Sequence, residues 1–241
     1  MGRLNFSLAY TLSHSIDDSS DRYDINFVDS YDLRRTRASS NFDHRHILNI
    51  SYVYDLPFFQ AAGMRHSLLG GWQISGVTSY SSGMPLSVYN GGFFDNAGVA
   101  NGTGSGSYVD VIGDPNAKPP VREVAGIAGP LLYNPNAFAA PRGLTFGNAG
   151  RNFLRGPSRT NWDIGLFKRF AIHENTGFEL RAEAFNVFNH TQWSSIFLGA
   201  TCYGGPDHSA GDPSCIAASA FLHPTAAHNP RILQLGIKFL F

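Results

Sequence analysis

Five charged residues on two neighbouring segments are the groups of this chain best spaced for joint chemistry. Asp163 and Arg169 lie within residues 161–170, and Glu179, Arg181 and Glu183 lie within residues 178–188. Within each segment they fall on alternate positions, the spacing that puts side chains on one face of a β-strand. A hairpin turning around Ala171 to Gly177 sets Arg169 opposite Glu179, Phe167 opposite Arg181 and Gly165 opposite Glu183, with Asp163 near Phe185. Such a ladder can pair charges across strands, hold another part of a protein against the wall, or touch a passing polar ligand. Pairing and holding are the default; ligand passage is the sharper alternative.

Three further sets could do chemistry. Cys202 and Cys215 bracket a Gly/Pro-rich stretch, and two cysteines closing such a loop in an exported protein suggest a disulfide worth about 3 kcal/mol. His44 and His46 share one face at a strand start, a spacing able to chelate a metal, but no third ligand is fixed. Asp17, Asp18, Asp21 and Asp24 form an acidic loop without the glycine and terminal glutamate of an EF-hand, so they read as solvated loop charge. No Gly-x-Ser-x-Gly, His-Glu-x-x-His or phosphate-cradling glycine loop is present. The chain is therefore not expected to be an enzyme, and no cofactor or metal site is assigned.

The elements that must position these residues are strands. Six are expected at about 3–13, 46–56, 71–81, 161–170, 178–188 and 231–241, each about 10 residues of apolar/polar alternation. The last is the cleanest: Leu233, Leu235, Ile237, Phe239 and Phe241 alternate with Gln234, Gly236 and Lys238. An apolar edge strand invites aggregation in water. A strand of a transmembrane β-barrel uses the same pattern, with its apolar face in lipid and its polar face in the lumen. The connections run to about 30, 14, 80, 7 and 40 residues, the short-turn and long-loop asymmetry of outer-membrane barrels. All long loops then fall on the extracellular side. Tyr10, Tyr52, Tyr54, Trp72, Trp162 and Phe241 point outward, where they can build interfacial girdles.

Composition agrees. The 241 residues carry 18 basic and 18 acidic side chains, a net charge of zero, which argues against nucleic acid as a partner. Charged residues make up 15%, well under the roughly 25% of an average soluble protein. Aromatics reach 13%, and no run of about 18 apolar residues offers a transmembrane helix. The N-terminus alternates like a strand and lacks the features of a secretory signal. Since an outer-membrane protein must be exported, the chain reads as the C-terminal piece of something longer.

Several stretches, in order, carry a resemblance that spans most of the chain. They are Gly70-Gly-Trp-Gln-Ile-Ser-Gly76, Val111-Ile-Gly-Asp-Pro-Asn116, Tyr133-Asn-Pro-Asn-Ala-Phe138 and Phe146-Gly-Asn-Ala-Gly-Arg-Asn-Phe-Leu-Arg-Gly-Pro157. Asn161-Trp-Asp-Ile-Gly-Leu-Phe-Lys-Arg-Phe170, Leu180-Arg-Ala-Glu-Ala-Phe-Asn-Val-Phe-Asn-His190 and the terminal Phe241 complete the set. Together they resemble the C-terminal barrel part of TonB-dependent receptors, closest to the Oar-like type with a carboxypeptidase-regulatory-like domain. The resemblance implies an all-β, antiparallel transmembrane barrel of 22 strands, of which residues 1–241 supply about six, with plug and TonB box absent. It implies location in the cell outer membrane and energised uptake of a large, unidentified ligand. Its implied partners are outer-membrane lipid, the TonB system through the missing N-terminal part, and the barrel assembly machinery, which would read Phe241 and the strand before it.

A reading from another class is a secreted all-β adhesin or carbohydrate-binding module, which would bury its strand aromatics. A self-contained small barrel would need two more strands, and neither Leu86–Tyr89 nor the stretch from Leu131 to Phe138 alternates convincingly.

Overall fold

The computed structural model describes residues 3–21, 29, 31–59, 63–90, 107–119, 123, 125–139, 146–173, 176–200 and 220–241. Its frame is one antiparallel sheet of six strands, β1 (Leu4–Leu12), β2 (His46–Asp55), β3 (Trp72–Ser81), β4 (Arg159–His173), β5 (Thr176–Phe185) and β6 (Ile232–Leu240). Every strand pairs with its predecessor, so the sheet is a simple meander from β1 to β6. The sheet does not close on itself, since among the described residues β1 and β6 each pair on one side only.

Register decides which side chains share a face. Leu8 opposes Ile50, Ile50 opposes Thr78, Thr78 opposes Trp162, and Ile164 opposes Ala184, which opposes Leu233. The apolar alternations of all six strands therefore coincide on one surface. That surface is bare: Phe6 is 69% exposed, Leu235 83% and Phe239 70%. A soluble module would bury it; a lipid-facing wall presents it. At the short-turn end the face carries Tyr54, Trp72, Phe170, Phe178 and Phe239, and at the opposite end Tyr10, Tyr80 and Trp162. These are two aromatic bands at the levels where bilayer interfaces fall. Among the described residues no helix is long and apolar enough to cross a membrane.

Two expected boundaries shift. β4 extends to His173 and β5 starts at Thr176, with His173 opposite Thr176, so the two strands run closer together in the chain than the expected connection of about seven residues. β5 ends at Phe185 and not near Phe188, because Asn186 takes φ 50° and its N–H turns to the Asp163 carboxylate at 2.9 Å. The β2–β3 connection holds a short helix, α1 (Met64–Leu69).

The larger correction concerns the long connections, which the sequence presents as plain loops. The buried core lies there and not in the sheet. Val88, Tyr108, Val109, Leu131, Tyr133, Phe138, Ala149 and Leu154 from the β3–β4 connection pack with Phe221 and Leu222 from the β5–β6 connection. Phe138 meets Phe221 edge to face, with ring centroids 5.8 Å apart. The weakly alternating stretches around Leu86 and from Leu131 to Phe138 are parts of this core, not additional barrel strands.

Candidate functional site

The polar alternations coincide on the other face of the sheet. Ser7, Ser51, Ser75, Gly165 and Glu183 belong to it, and a hollow of about 530 Å³ crosses it at mid-height. In a membrane barrel this face is the lumen wall. β4 and β5 carry its charges in the expected register: Arg169 opposite Glu179, Phe167 opposite Arg181, and Gly165 opposite Glu183. The structure brings these residues together but pairs them differently. Arg181 Nε donates to Glu179 Oε1 at 2.6 Å, along its own strand and not across it. Its guanidinium also stands 5.7 Å from the centroid of the Phe167 ring. That ring folds back over Gly165, where an added Cβ would lie 2.6 Å from it. Asp163 is occupied in holding the end of β5 through Asn186 N. Sequence reasoning overlooked the third strand of the ladder: Lys238 lies opposite Glu179, Gly236 opposite Arg181 and Gln234 opposite Glu183. The alternation of the terminal strand already held that signal.

The terminal-strand residues Leu233, Leu235, Ile237 and Phe239 stand on the lipid-facing side of β6, and Phe241 is fully exposed just past it. Cys202 and Cys215 fall outside the described residues. His44 and His46 do not form a metal pair: His44 Nδ1 meets Ser82 O at 2.6 Å and His46 Nδ1 meets the Tyr10 hydroxyl at 2.8 Å. Asp17 is held by Arg151 at 2.7 Å instead of standing solvated. Among the described residues no group of three His, Cys, Asp or Glu side chains could hold a metal ion.

Beyond the long-loop end of the sheet the glycine-rich stretch 146–157 is a clamp. Arg151 is buried and bonds Asp17 Oδ1, Asp17 O at 3.1 Å and Ser20 Oγ at 2.8 Å. Asn152, at φ 54°, donates to Ser39 O and Asn41 Oδ1, both at 2.7 Å. Arg155 bonds the Asp43 carboxylate at 2.7 Å and its carbonyl at 2.9 Å. Residues of the β3–β4 connection thus grip the β1–β2 connection. Burial alone would raise the pKa of Asp43, yet Arg155, Ser15 N–H and His14 together hold it down to about 2. Gly147 lets the backbone pass Tyr108: at φ 73° an added Cβ would lie 2.2 Å from Tyr108 O.

Lys168 breaks the apolar alternation on the lipid side. It is nevertheless only 2% exposed, because its ammonium bends to the short-turn end, donates to Gly70 O and stands 5.1 Å over the Phe170 ring. This is snorkelling within one side chain's reach of the interface.

An antiparallel sheet with a bare apolar face, a polar inner wall and long connections all at one end defines an outer-membrane β-barrel protein. Residues 2–234 match the family model for the outer membrane beta barrel domain, and the chain belongs to that family. No curated protein and no solved structure shows significant similarity to it.

Proposed function

We propose that the six strands form the C-terminal part of the barrel of a TonB-dependent receptor of the Oar-like type, serving energised uptake of a large ligand. The observation that carries this reading is the pairing of a charged inner wall with a packed extracellular cap. Arg181, paired with Glu179 and stacked on Phe167, gives the wall a fixed charged surface against which a plug can seat. The ordered motif resemblance across the chain and the two single-sided sheet edges support the same reading. An open edge in lipid leaves backbone groups unsatisfied, which the other strands of a larger barrel would pair on this reading. On this reading the Glu179–Arg181–Lys238 surface faces the plug, and the cap makes first contact with the ligand.

The experiment is site-specific photocrosslinking in living cells, using the full-length protein recognised by antibody against residues 231–241. Capture of TonB that disappears on collapsing the proton-motive force supports the reading. A correctly inserted protein that never crosslinks to TonB overturns it. The same antibody should detect a heat-modifiable outer-membrane band well above the 26.3 kDa of this chain.

A further inference from the structure

A second hollow, of about 400 Å³, opens at the extracellular end of the lumen wall where β4, β5 and β6 meet the cap. It adjoins the mid-height hollow, with which it shares Asp163 and Phe185, and none of the clamp residues Arg151, Asn152 and Arg155 lines it. Arg159, Asn161 and Asp163 enter it from alternate positions of β4, Phe185 from the end of β5, and Gln192 and His228 from the two ends of the β5–β6 connection. Its size is at the lower end of small-ligand sites, roughly 300–1,000 Å³.

Three features give it a chemical preference. Gln192 is 4% exposed, and its Oε1 is buried with no hydrogen-bond partner among the described residues. An unsatisfied buried acceptor costs about 1–3 kcal/mol, so a donor arriving there is rewarded. Among the described residues the Gln192 amide nitrogen meets Asn161 Oδ1 at 3.5 Å, and the Gln192 carbonyl is fixed by His228 N–H at 2.8 Å. The residue is therefore held by its backbone while its side-chain acceptor stays uncommitted. Next, the charges balance: one cation, Arg159, stands against one carboxylate, Asp163, and burial together with Arg159 lowers the His228 pKa. No net field selects an anion or a cation. Last, donors and acceptors are interleaved around one aromatic ring, Phe185, which is 40% exposed. A ring face attracts the weakly positive C–H edge of an apolar or sugar surface.

We propose that this hollow is a binding subsite for a neutral saccharide unit, captured at the mouth of the barrel. A hydroxyl both donates and accepts, and vicinal hydroxyls match an amide beside a guanidinium or carboxylate; the Gln192 acceptor takes one hydroxyl proton. As a capture point for imported cargo the site rests on the uptake reading; as a binding site it does not.

The test uses outer-membrane vesicles carrying the full-length protein and three radiolabelled probes, cellohexaose, xylohexaose and maltohexaose, with a neutral alanine–glycine hexapeptide as competitor class. Expected is saturable binding of at least one hexasaccharide. It should weaken at least tenfold in Gln192→Leu and in Asn161→Ala, and stay unchanged in Lys118→Ala on the exposed cap. Asn161→Ala, at a half-buried strand position, guards against loss of fold, and heat-modifiability checks both variants. Binding of the hexapeptide alone, binding of no hexasaccharide, or sugar binding indifferent to both substitutions overturns the proposal. Sugar binding without proton-motive-force-dependent accumulation would leave the subsite standing and remove the uptake reading. Accumulation indifferent to both substitutions would do the reverse.

Discussion

Asp43 has 1% of its side chain exposed and meets three cationic or potentially cationic groups, Arg155, His14 and Arg45. Its pKa of about 2 lies below its ordinary 3.8, so its contribution is complete above the ordinary value and is lost as pH falls through the folded one. That contribution is about 2 kcal/mol. Pepsin should therefore cut the β1–β2 and β3–β4 connections increasingly fast between about pH 4 and about pH 2. Asp43→Asn should be cut quickly throughout, with a much flatter pH profile. A wild-type rate independent of pH in that window would contradict the assignment. Gly147→Ala should destabilise the cap by about 1–3 kcal/mol, because φ 73° is strained for alanine and the Tyr108 carbonyl blocks its Cβ. Urea unfolding followed by protease resistance of the cap reads this directly. At this scale the sequence was only partly legible. Alternation told which face Asp163, Arg169, Glu179, Arg181 and Glu183 share. It could not tell that Arg181 would choose Glu179 of its own strand, since that depends on Phe167 folding over Gly165 and offering a platform.

Strands were the most readable elements, because a period of two survives in any context where one face meets lipid and the other water. The β4–β5 register came out residue for residue from the hairpin, whereas its turn came out too long: nothing local marks His173 as still paired. β6 invites a two-sided test. Leu235→Arg places a cation mid-strand on the lipid face and should cost about 2–4 kcal/mol in the folding equilibrium from urea into vesicles. Gly236→Ser, one residue on, faces the lumen, and its nearest neighbour is Arg181 Cβ at 3.9 Å; it should be near neutral. Equal effects would mean that the two faces have been interchanged. Lys168 shows that position alone does not forbid charge on the lipid face, provided the ammonium reaches the interface. Deleting Phe241 from the full-length protein should lower its outer-membrane abundance through slower barrel assembly, as quantified by immunoblot; an unchanged level would remove that role.

For the whole molecule, the apolar area that would stabilise a soluble protein is divided between two settings. Lipid covers the sheet's outer face, and the cap buries its own small core around Val88, Tyr108, Phe138 and Phe221. The cap was illegible in the sequence. Its core residues come from connections far apart in the chain, at irregular spacing, with glycines and prolines between them, so no period announces them. The polar clamp was equally hidden, since Arg151 reaches Asp17 across 134 positions. Its residues were visible as a motif in the stretch 146–157, yet a motif without a partner does not reveal its role.

The clamp also has an immunological consequence. Because Arg151, Asn152 and Arg155 tie the β1–β2 connection to the β3–β4 connection, the outward surface near them is a composite of two segments. Antibodies raised against the folded protein should recognise that composite and lose it on boiling. Antisera against single linear peptides from either segment should label intact cells poorly.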